Sequence, residues 1–275
     1  MELVAGSVIY SIDLDPLDGD GVEIKVAKDL NTMQSAFKYT DGYTAVADMD
    51  LDGIADIIVS AARQGGIGIY VWNKNGLVRY LTLPPGAFAS SFRGVAAIAN
   101  VYDDTKSGYA RDYPEIIMIG INRMAAFNLN KANTNPAAPY WWVQPNSDES
   151  GYTGCAVFDF NGDGVQEIVY RDQSDLRIMY GGAAPFPPGV DAERNWWKTT
   201  VGSITLDEIP VIADVDNDGY ADIAVTGFDQ PFAGPQPTTF DGRLHVFTST
   251  KIPWMPCRPI WNQTQLNIHD RLPRA

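Results

Sequence analysis

The chain has 275 residues, of which 45% are hydrophobic and 20% are charged, and its formal net charge at pH 7 is −14. This length and hydrophobic content are enough for a substantial core and exclude a disordered chain. The negative charge argues against a nucleic-acid partner, whose phosphates require a basic face. No run of 18 apolar residues occurs, so no membrane span is predicted.

The chain begins with a short apolar segment, Glu-Leu-Val-Ala-Gly at residues 2–6, which predicts a strand. The acidic sequence Asp-Gly-Asp-Gly follows at residues 18–21 and predicts a turn between strands. This turn does not share the spacing of the acidic loops found further along the chain.

Three later segments, residues 45–59, 156–169 and 211–225, repeat one pattern of an apolar strand, an acidic loop and a second apolar strand. Each loop reads D-x-[DN]-x-D-G-x-x-[DE] over nine positions. We call these nine-residue segments loop I (residues 48–56), loop II (residues 159–167) and loop III (residues 214–222).

The loop spacing suits a hard divalent cation with six to eight oxygen ligands at roughly 2.3–2.6 Å, which is typical of calcium. Positions 1, 3, 5 and 9 supply side-chain oxygens, position 7 supplies a backbone carbonyl, and glycine at position 6 permits the sharp turn. Without an ion, the clustered carboxylates would repel one another and their pKa values would rise. About three Ca²⁺ sites are therefore predicted, and their ligands are Asp48, Asp50, Asp52, Ile54 and Asp56 in loop I, Asp159, Asn161, Asp163, Val165 and Glu167 in loop II, and Asp214, Asp216, Asp218, Tyr220 and Asp222 in loop III.

Two other interpretations of these loops were weighed. An EF-hand requires a glutamate at position 12 and a helix on each side, whereas position 12 is Val59, Tyr170 and Val225 and the flanking segments are short and strand-like. A solvated acidic turn without metal explains one copy, but three copies in one register favour metal sites.

The spacing of the loops indicates a repeat. Asp159 and Asp214 are 55 residues apart, and Asp48 and Asp159 are 111 apart, which is about twice that period. A degenerate copy is therefore predicted at residues 97–120, where the strands survive and the loop spacing is lost. We call residues 100–115 the interrupted loop, and whether Asn100, Asp103 and Glu115 bind an ion there stays open.

Residues 2–6 fit the same period, because they resemble the strand that follows each loop. Five copies of the repeat then make up one domain, residues 1–275, in which residues 251–275 close or flank the repeats. Two tryptophan pairs also follow the period, Trp141-Trp142 and Trp196-Trp197, 55 residues apart. We expect them to pack between outer strands, and an exposed sugar-stacking platform is the alternative.

The cysteines and histidines of the chain match no catalytic or metal-binding motif. Cys155 and Cys257 form no C-x-x-C pair, which excludes a zinc ribbon. Cys155 is expected to be a small buried residue, and a disulfide between the two cysteines stays open. The two histidines, His245 and His269, lie beside no nucleophile or metal motif, and neither G-x-S-x-G nor H-E-x-x-H occurs.

The strand, the D-x-D-x-D-G-x-x-D loop and the returning strand resemble the FG-GAP (VCBS-type) repeats of integrin-alpha-like β-propellers, which occur in secreted and surface proteins of bacteria. The tail at residues 258–263, Arg-Pro-Ile-Trp-Asn-Gln, resembles a segment that follows such repeats. The resemblance implies an all-β fold, a β-propeller of about five four-stranded blades or a segment of a seven-bladed one, with the calcium loops between first and second strands.

The function implied is a non-catalytic extracellular module, secreted or on the cell surface, that binds a protein or carbohydrate ligand as adhesion proteins do. The Met-Glu-Leu start has neither a charged n-region nor an apolar h-region, so no signal peptide is predicted in this sequence. The alternatives are a polysaccharide lyase or hydrolase, or a lectin, built on a calcium-bearing propeller. For an enzyme, Asp103, Asp104 and Glu115 are the carboxylates that the interrupted loop leaves without a metal role.

Overall fold

A computed structural model describes most of the chain. The described residues are 1–14, 22–35, 38–63, 66–81, 94–103, 105, 111–129, 140–145, 148–182, 187–203, 208–229 and 242–259, with the backbone alone for 61–63, 66–68 and 140–145. Four predictions concern residues outside these ranges: the acidic turn at 18–21, Asp104, His269, and the part of the closing segment beyond residue 259.

The described residues form eighteen strands and one helix of a single turn, so the all-β prediction is confirmed. The helix α1 (Leu30–Met33) follows the third strand. The strands are β1 (Glu2–Ala5), β2 (Val8–Asp13), β3 (Glu23–Asp29), β4 (Gly42–Ala47), β5 (Asp56–Arg63), β6 (Gly66–Asn73), β7 (Gly76–Leu81), β8 (Ala97–Ala99), β9 (Glu115–Gly120), β10 (Arg123–Asn128), β11 (Tyr140–Pro145), β12 (Ala156–Phe158), β13 (Glu167–Arg171), β14 (Asp175–Met179), β15 (Asn195–Thr200), β16 (Val211–Ala213), β17 (Asp222–Gly227) and β18 (Arg243–Phe247).

These strands form five antiparallel sheets, and within each sheet the strands lie side by side in chain order. Sheet 1 contains β1 to β3, sheet 2 contains β4 to β7, sheet 3 contains β8 to β11, sheet 4 contains β12 to β15, and sheet 5 contains β16 to β18. The first strands of successive sheets contact one another, β4 with β8, β8 with β12 and β12 with β16, and β1 contacts β4. The sheets thus follow one another through the molecule in chain order.

The repeat register is confirmed by the strand pairing. Position 9 of each acidic loop pairs with the residue before position 1, as Asp56 does with Ala47, and the interrupted loop keeps this pairing between Glu115 and Ala99. Loops I, II and III and the interrupted loop therefore all join the first and second strands of their sheets. The segment predicted at residues 2–6 is the strand β1.

Two of the five sheets have three described strands instead of the expected four. Sheet 1 begins with β1, which occupies the place of a second strand. After β18, residues 248–259 do not turn back to form a fourth strand of sheet 5. They run instead across loops II and III, where Pro256 forms a bridge with Tyr220.

The core lies between successive sheets. In β5 the side chains of Ile57 and Val59 are buried against sheet 1, and that of Ile58, between them, is buried against sheet 3. Because neighbouring strand residues point to opposite faces, a strand covered on both sides requires an unbroken apolar run. The sequences at residues 57–59 and 116–119 are such runs.

The two tryptophan pairs occupy equivalent positions, as predicted. Trp142 pairs with Ala126 and Trp197 pairs with Ile178, and each fourth strand has a register shift at this point. The Trp197 ring packs on the core between sheets 4 and 5 and lies 5.4 Å from the ring of Phe247 at 65°. Packing between outer strands is thus confirmed for Trp197, whereas Trp196 is 37% exposed.

Both cysteines are free thiols, and Cys155 is buried between sheets 3 and 4 as expected. Among the described residues, no helix is long and apolar enough to cross a membrane.

Candidate metal centre

The carboxylate at position 1 organises each acidic loop. In loop I, Oδ1 of Asp48 accepts a hydrogen bond from the amide of Asp52 at 3.1 Å, and Oδ2 accepts one from the amide of Gly53 at 2.9 Å. Asp159 accepts the equivalent bonds at 3.1 and 2.9 Å, and Asp214 accepts them at 3.1 and 3.0 Å. Three separate segments therefore fold into one geometry.

Positions 3 and 5 tighten the same turn. The side-chain oxygen at position 3 accepts from the amide of position 5, at 3.2 Å for Asp50 and 3.1 Å for Asp216. The carboxylate at position 5 accepts from the amide of position 7, at 2.7 Å for Asp52 and 2.9 Å for Asp218. These bonds across two residues are Asx turns, which suit aspartate and asparagine.

Two positions of each loop have left-handed backbone. The glycines at position 6 have φ of 86° to 92°, and a Cβ added to any of them would meet no atom within 4 Å. Their conformation, not lack of space, therefore requires glycine. The sequence did not predict that position 4 is also left-handed; its residues are Leu51, Gly162 and Asn217, with φ of 58°, 77° and 64°.

The acid at position 9 has a structural role that the sequence did not predict. Oδ2 of Asp56 accepts a hydrogen bond from the amide of Met49, at position 2, at 3.0 Å. The acids at position 9 of loops II and III accept the same bond at 2.9 Å, and Glu115 accepts it from Val101 at 3.1 Å. All four acids are buried, so each one fastens the start of its loop to the second strand.

A side-chain amide holds the other oxygen of this acid in three of the four loops. Asn73, at the end of β6, donates to Asp56 at 2.9 Å, and Asn128, at the end of β10, donates to Glu115 at 2.8 Å. In loop II the donor is Asn161, at position 3 of the loop itself, at 3.0 Å from Glu167. Since the ends of β6 and β10 are far along the chain from their loops, spacing alone could not reveal these pairs.

The structure brings together some of the predicted ligands. Single carboxylate oxygens of Asp48, Asp50 and Asp56 lie within 4.8 Å of one another, and so do those of the three acids at positions 1, 3 and 5 of loop III. Either group could hold a metal ion. Loop II has an amide at position 3, and no third acidic triad occurs among the residues that the structure describes. The identity of the ion, the site in loop II and the carbonyl ligands stay predictions.

The electrostatics of the metal-free loops match the expected direction. The pKa of Asp56 is raised to about 6 and that of Glu167 to about 8, in both cases first by burial. Burial and the neighbouring Asp52 raise the pKa of Asp50. Removal of these acids from water thus outweighs the mutual repulsion that the sequence suggested. A cation bound at the loop would favour the charged forms.

The loops are also connected to one another. The backbone carbonyl of Asn100 accepts from the amide of Gln166 in loop II at 2.8 Å, and the Arg111 guanidinium donates to the carbonyl of Leu51 in loop I at 2.7 Å. Met255 donates its amide to Phe160 in loop II at 3.1 Å and accepts from Ala221 in loop III at 3.2 Å. Contacts between neighbours thus connect loops I, II and III through the interrupted loop and residue 255.

Of the three carboxylates considered for an enzyme in the interrupted loop, the structure describes Asp103 and Glu115. Glu115 is buried, and both of its oxygens accept hydrogen bonds. Asp103 accepts from the amide of Thr105 at 3.1 Å. The ring of His245, in β18, stacks on that of Phe247, and its Nε2 lies 3.8 Å from Oδ1 of Asp229.

No family model matches the chain, and no curated protein matches it. Among solved structures, the chain is similar to the Vibrio cholerae biofilm matrix protein Bap1, with 15% identity and a TM-score of 0.43 over 80% of this chain and 31% of that one. It is also similar to the Photorhabdus luminescens Tc holotoxin pore, with 14% identity and a TM-score of 0.31 over 90% of this chain and 12% of that one. The chain spans less than a third of either protein, and TM-scores below one half assign neither a fold family nor a function.

Proposed function

We propose that this chain is a non-catalytic extracellular module that uses calcium to rigidify a repeat-built β-propeller of the FG-GAP type and that binds a protein or glycan. The observation that carries the proposal is the shared hydrogen-bond geometry of loops I, II and III, with an acidic triad in two of them. Three loops that share one backbone geometry around their own carboxylates are suited to the same kind of ion. Calcium fits the all-oxygen ligand set.

The propeller arrangement is supported by the order of the sheets. In a propeller the first strands of successive blades surround a central axis and the blades pack face to face. The first strands here contact one another in chain order, and each pair of successive sheets encloses a hydrophobic core. Five sheets agree with about five blades or with a segment of a larger ring.

The calcium proposal is tested by titrating the metal-free protein with Ca²⁺ in a calorimeter and by following its melting temperature. We expect about three sites, with the loss of one site in each of Asp48→Asn and Asp214→Asn. Glu149→Gln serves as the control, because Glu149 is an exposed acid outside the loops. Equal heats and equal melting curves with and without calcium would contradict the proposal.

A specific groove favours a glycan as the ligand. Between β15 and the chain after β18 lies a cavity of about 460 Å³. Its lining includes Trp196, Trp197, Phe247 and Trp254 and residues 248–251, Thr-Ser-Thr-Lys. Exposed indole rings stack on the apolar faces of sugars, and hydroxyl and ammonium groups bond their polar edges. The volume lies in the range of small-molecule sites.

Glycan binding is tested by tryptophan fluorescence during titration with neutral and acidic oligosaccharides. Trp196→Ala should abolish the response, and Tyr152→Ala, which removes an exposed aromatic ring elsewhere, should leave it unchanged. If calcium binds while no oligosaccharide does, the metal role stands and the glycan proposal is contradicted.

A further inference from the structure

The two ends of the series of sheets carry apolar faces that match the faces buried inside it. In sheets 2 and 4, we call residues that pair with one another across the first three strands a row. In one row of each sheet, the side chains point toward the following sheet. These rows are Ala45, Ile58 and Val71 in sheet 2 and Ala156, Val169 and Ile178 in sheet 4. All six side chains are buried in the cores that join each sheet to the next.

In sheet 5 the same row faces no further sheet among the residues that the structure describes. It consists of Val211, Ala224 and Val246, which pair in the same register. Val246 is 47% exposed, and Leu244, one row further along β18 on the same face, is 67% exposed. Positions that are buried elsewhere in the chain therefore form an apolar surface at this end.

Sheet 1 presents the corresponding surface at the other end. Val4 and Ile9 face sheet 2, so their strand neighbours Leu3 and Tyr10 face outward. Leu3, Tyr10 and Val26 pair in one row, in which Leu3 is 50% and Val26 is 61% exposed. Ile12 and Ile24 pair in the next row on this side.

Within the described strands, the rows just named on both faces carry no charged side chain. The lysines of β3, Lys25 and Lys28, pair with Ser11 and Ile9, which places them on the side of sheet 1 that faces sheet 2. Arg243 in β18 pairs with Gly227, in a row on the inner side of sheet 5. Contiguous exposed apolar patches of this kind mark interaction sites, and an uncharged patch suits an apolar partner.

We propose that the outer face of sheet 5 packs on the outer face of sheet 1 of a second copy of this chain. The contact would continue across two molecules the packing of one sheet on the next that the chain already repeats four times between its own sheets. The two faces differ, so the contact is head to tail and builds rings or open chains of copies, not a closed two-fold dimer. The proposal is independent of calcium and of any ligand in the tryptophan groove.

Disulfide trapping tests the proposal directly. In a Cys257→Ser background, the double variant Val26→Cys and Leu244→Cys is oxidised mildly and run on a non-reducing gel. Head-to-tail packing predicts a ladder of covalent multimers from the double variant and no multimers from either single variant. The matched control, Lys25→Cys with Arg243→Cys, places both thiols on the other sides of the same sheets and should stay monomeric.

Three results would overturn the proposal: disulfide-linked monomers alone, which mean that the ends meet within one chain; dimers from a single variant, which mean two-fold packing; and the absence of crosslinks. Light scattering on the unmodified sequence supplies a second measurement. Leu244→Asp should weaken self-association by about tenfold or more, because packing would bury an unpaired carboxylate. Ile252→Asp, at an exposed apolar residue outside both faces, should not. An unmodified chain that is monomeric at every concentration would also contradict the proposal.

Discussion

The side-chain amide of Asn161 donates a hydrogen bond to Oε1 of Glu167 at 3.0 Å, so loop II holds its acid at position 9 from within the loop. Loop I uses Asn73, from another strand, for the same purpose. The asparagine at position 3 thus stands where loops I and III have an aspartate, and it holds Glu167 in place. Compared with loops I and III, loop II has one carboxylate fewer and gains a side-chain hydrogen bond within the loop.

Asn161→Asp should therefore strengthen calcium binding at loop II and weaken the metal-free fold. The substitution adds a charged ligand, removes the donor to Glu167, and places a second negative charge beside a buried acid. We expect a melting temperature lower than that of the unmodified protein in chelator and a larger calcium-induced rise. Calorimetry checks the affinity, and an unchanged affinity together with unchanged melting in chelator would contradict the interpretation.

Asp214→Ala should reduce the calcium response more than Asn161→Ala. Asp214 is at position 1, where it accepts two backbone amides and supplies a charge, whereas Asn161 supplies a neutral oxygen. An ion that binds only the native state adds about 2.7 kcal/mol of stability at a hundredfold excess over Kd. The difference between melting curves with calcium and with chelator measures this contribution for each variant. A response that falls equally in both variants would show that charge at position 1 is unimportant.

Calcium should stabilise the protein more at pH 8 than at pH 5. Burial raises the pKa of Asp56 from 3.8 to about 6 and that of Glu167 from 4.5 to about 8. The folded chain therefore holds these protons more tightly than the unfolded chain, and the metal-free fold loses stability as the pH rises between the ordinary and the raised values. Calcium replaces the protons, so its binding releases them and its effect grows through the same window.

Melting temperatures of dialysed protein, with and without added calcium, check this at both pH values. Glu149→Gln, which changes an exposed acid outside the loops, should show the same pH dependence as the unmodified protein. A calcium-induced rise that is equal at pH 5 and pH 8, or larger at pH 5, would contradict the prediction.

Substitution of two asparagines should distinguish the structural role of the acid at position 9 from its proposed role in metal binding. Asn128→Ala removes one hydrogen bond to the buried Glu115, at a cost of about 1–3 kcal/mol. Asn73→Ala does the same to Asp56 in loop I. We expect calcium to restore stability to the Asn73 variant and not to the Asn128 variant. Chemical denaturation with and without calcium measures both effects, and equal rescue would mean that the interrupted loop also binds the ion.

The strands and loops could be predicted because their signals are local. Unbroken runs such as residues 57–59 specify strands that are covered on both faces, and nine consecutive residues specify each loop. Val46 shows the limit of this approach. It lies two residues before its loop, as do Ile98, Val157 and Ile212, which are buried. Val46 is nevertheless 45% exposed, because the described part of sheet 1 contains no first strand to cover it.

The contacts that span long distances along the chain could not be predicted. Arg171 is a fully buried arginine between sheets 4 and 5, where it donates to the carbonyls of Gly202 and Thr226 and pairs with Glu208 at 3.3 Å. Nothing near Arg171 in the sequence distinguishes it from an exposed strand residue. Its partners come from β17 of the next sheet and from the chain between β15 and β16.

The chain should bind without catalysing a reaction. An acid or base must reach the substrate, and Glu115, one of the three carboxylates that the sequence analysis named for this purpose, is buried and accepts hydrogen bonds at both oxygens. Incubation of the calcium-loaded protein with acidic and neutral polysaccharides should yield neither unsaturated products nor new reducing ends. Glu115→Gln is the decisive variant, because it removes the carboxylate while keeping the shape of the side chain. Turnover by the unmodified protein that disappears in Glu115→Gln, with folding and calcium binding intact, would replace the binding module with an enzyme.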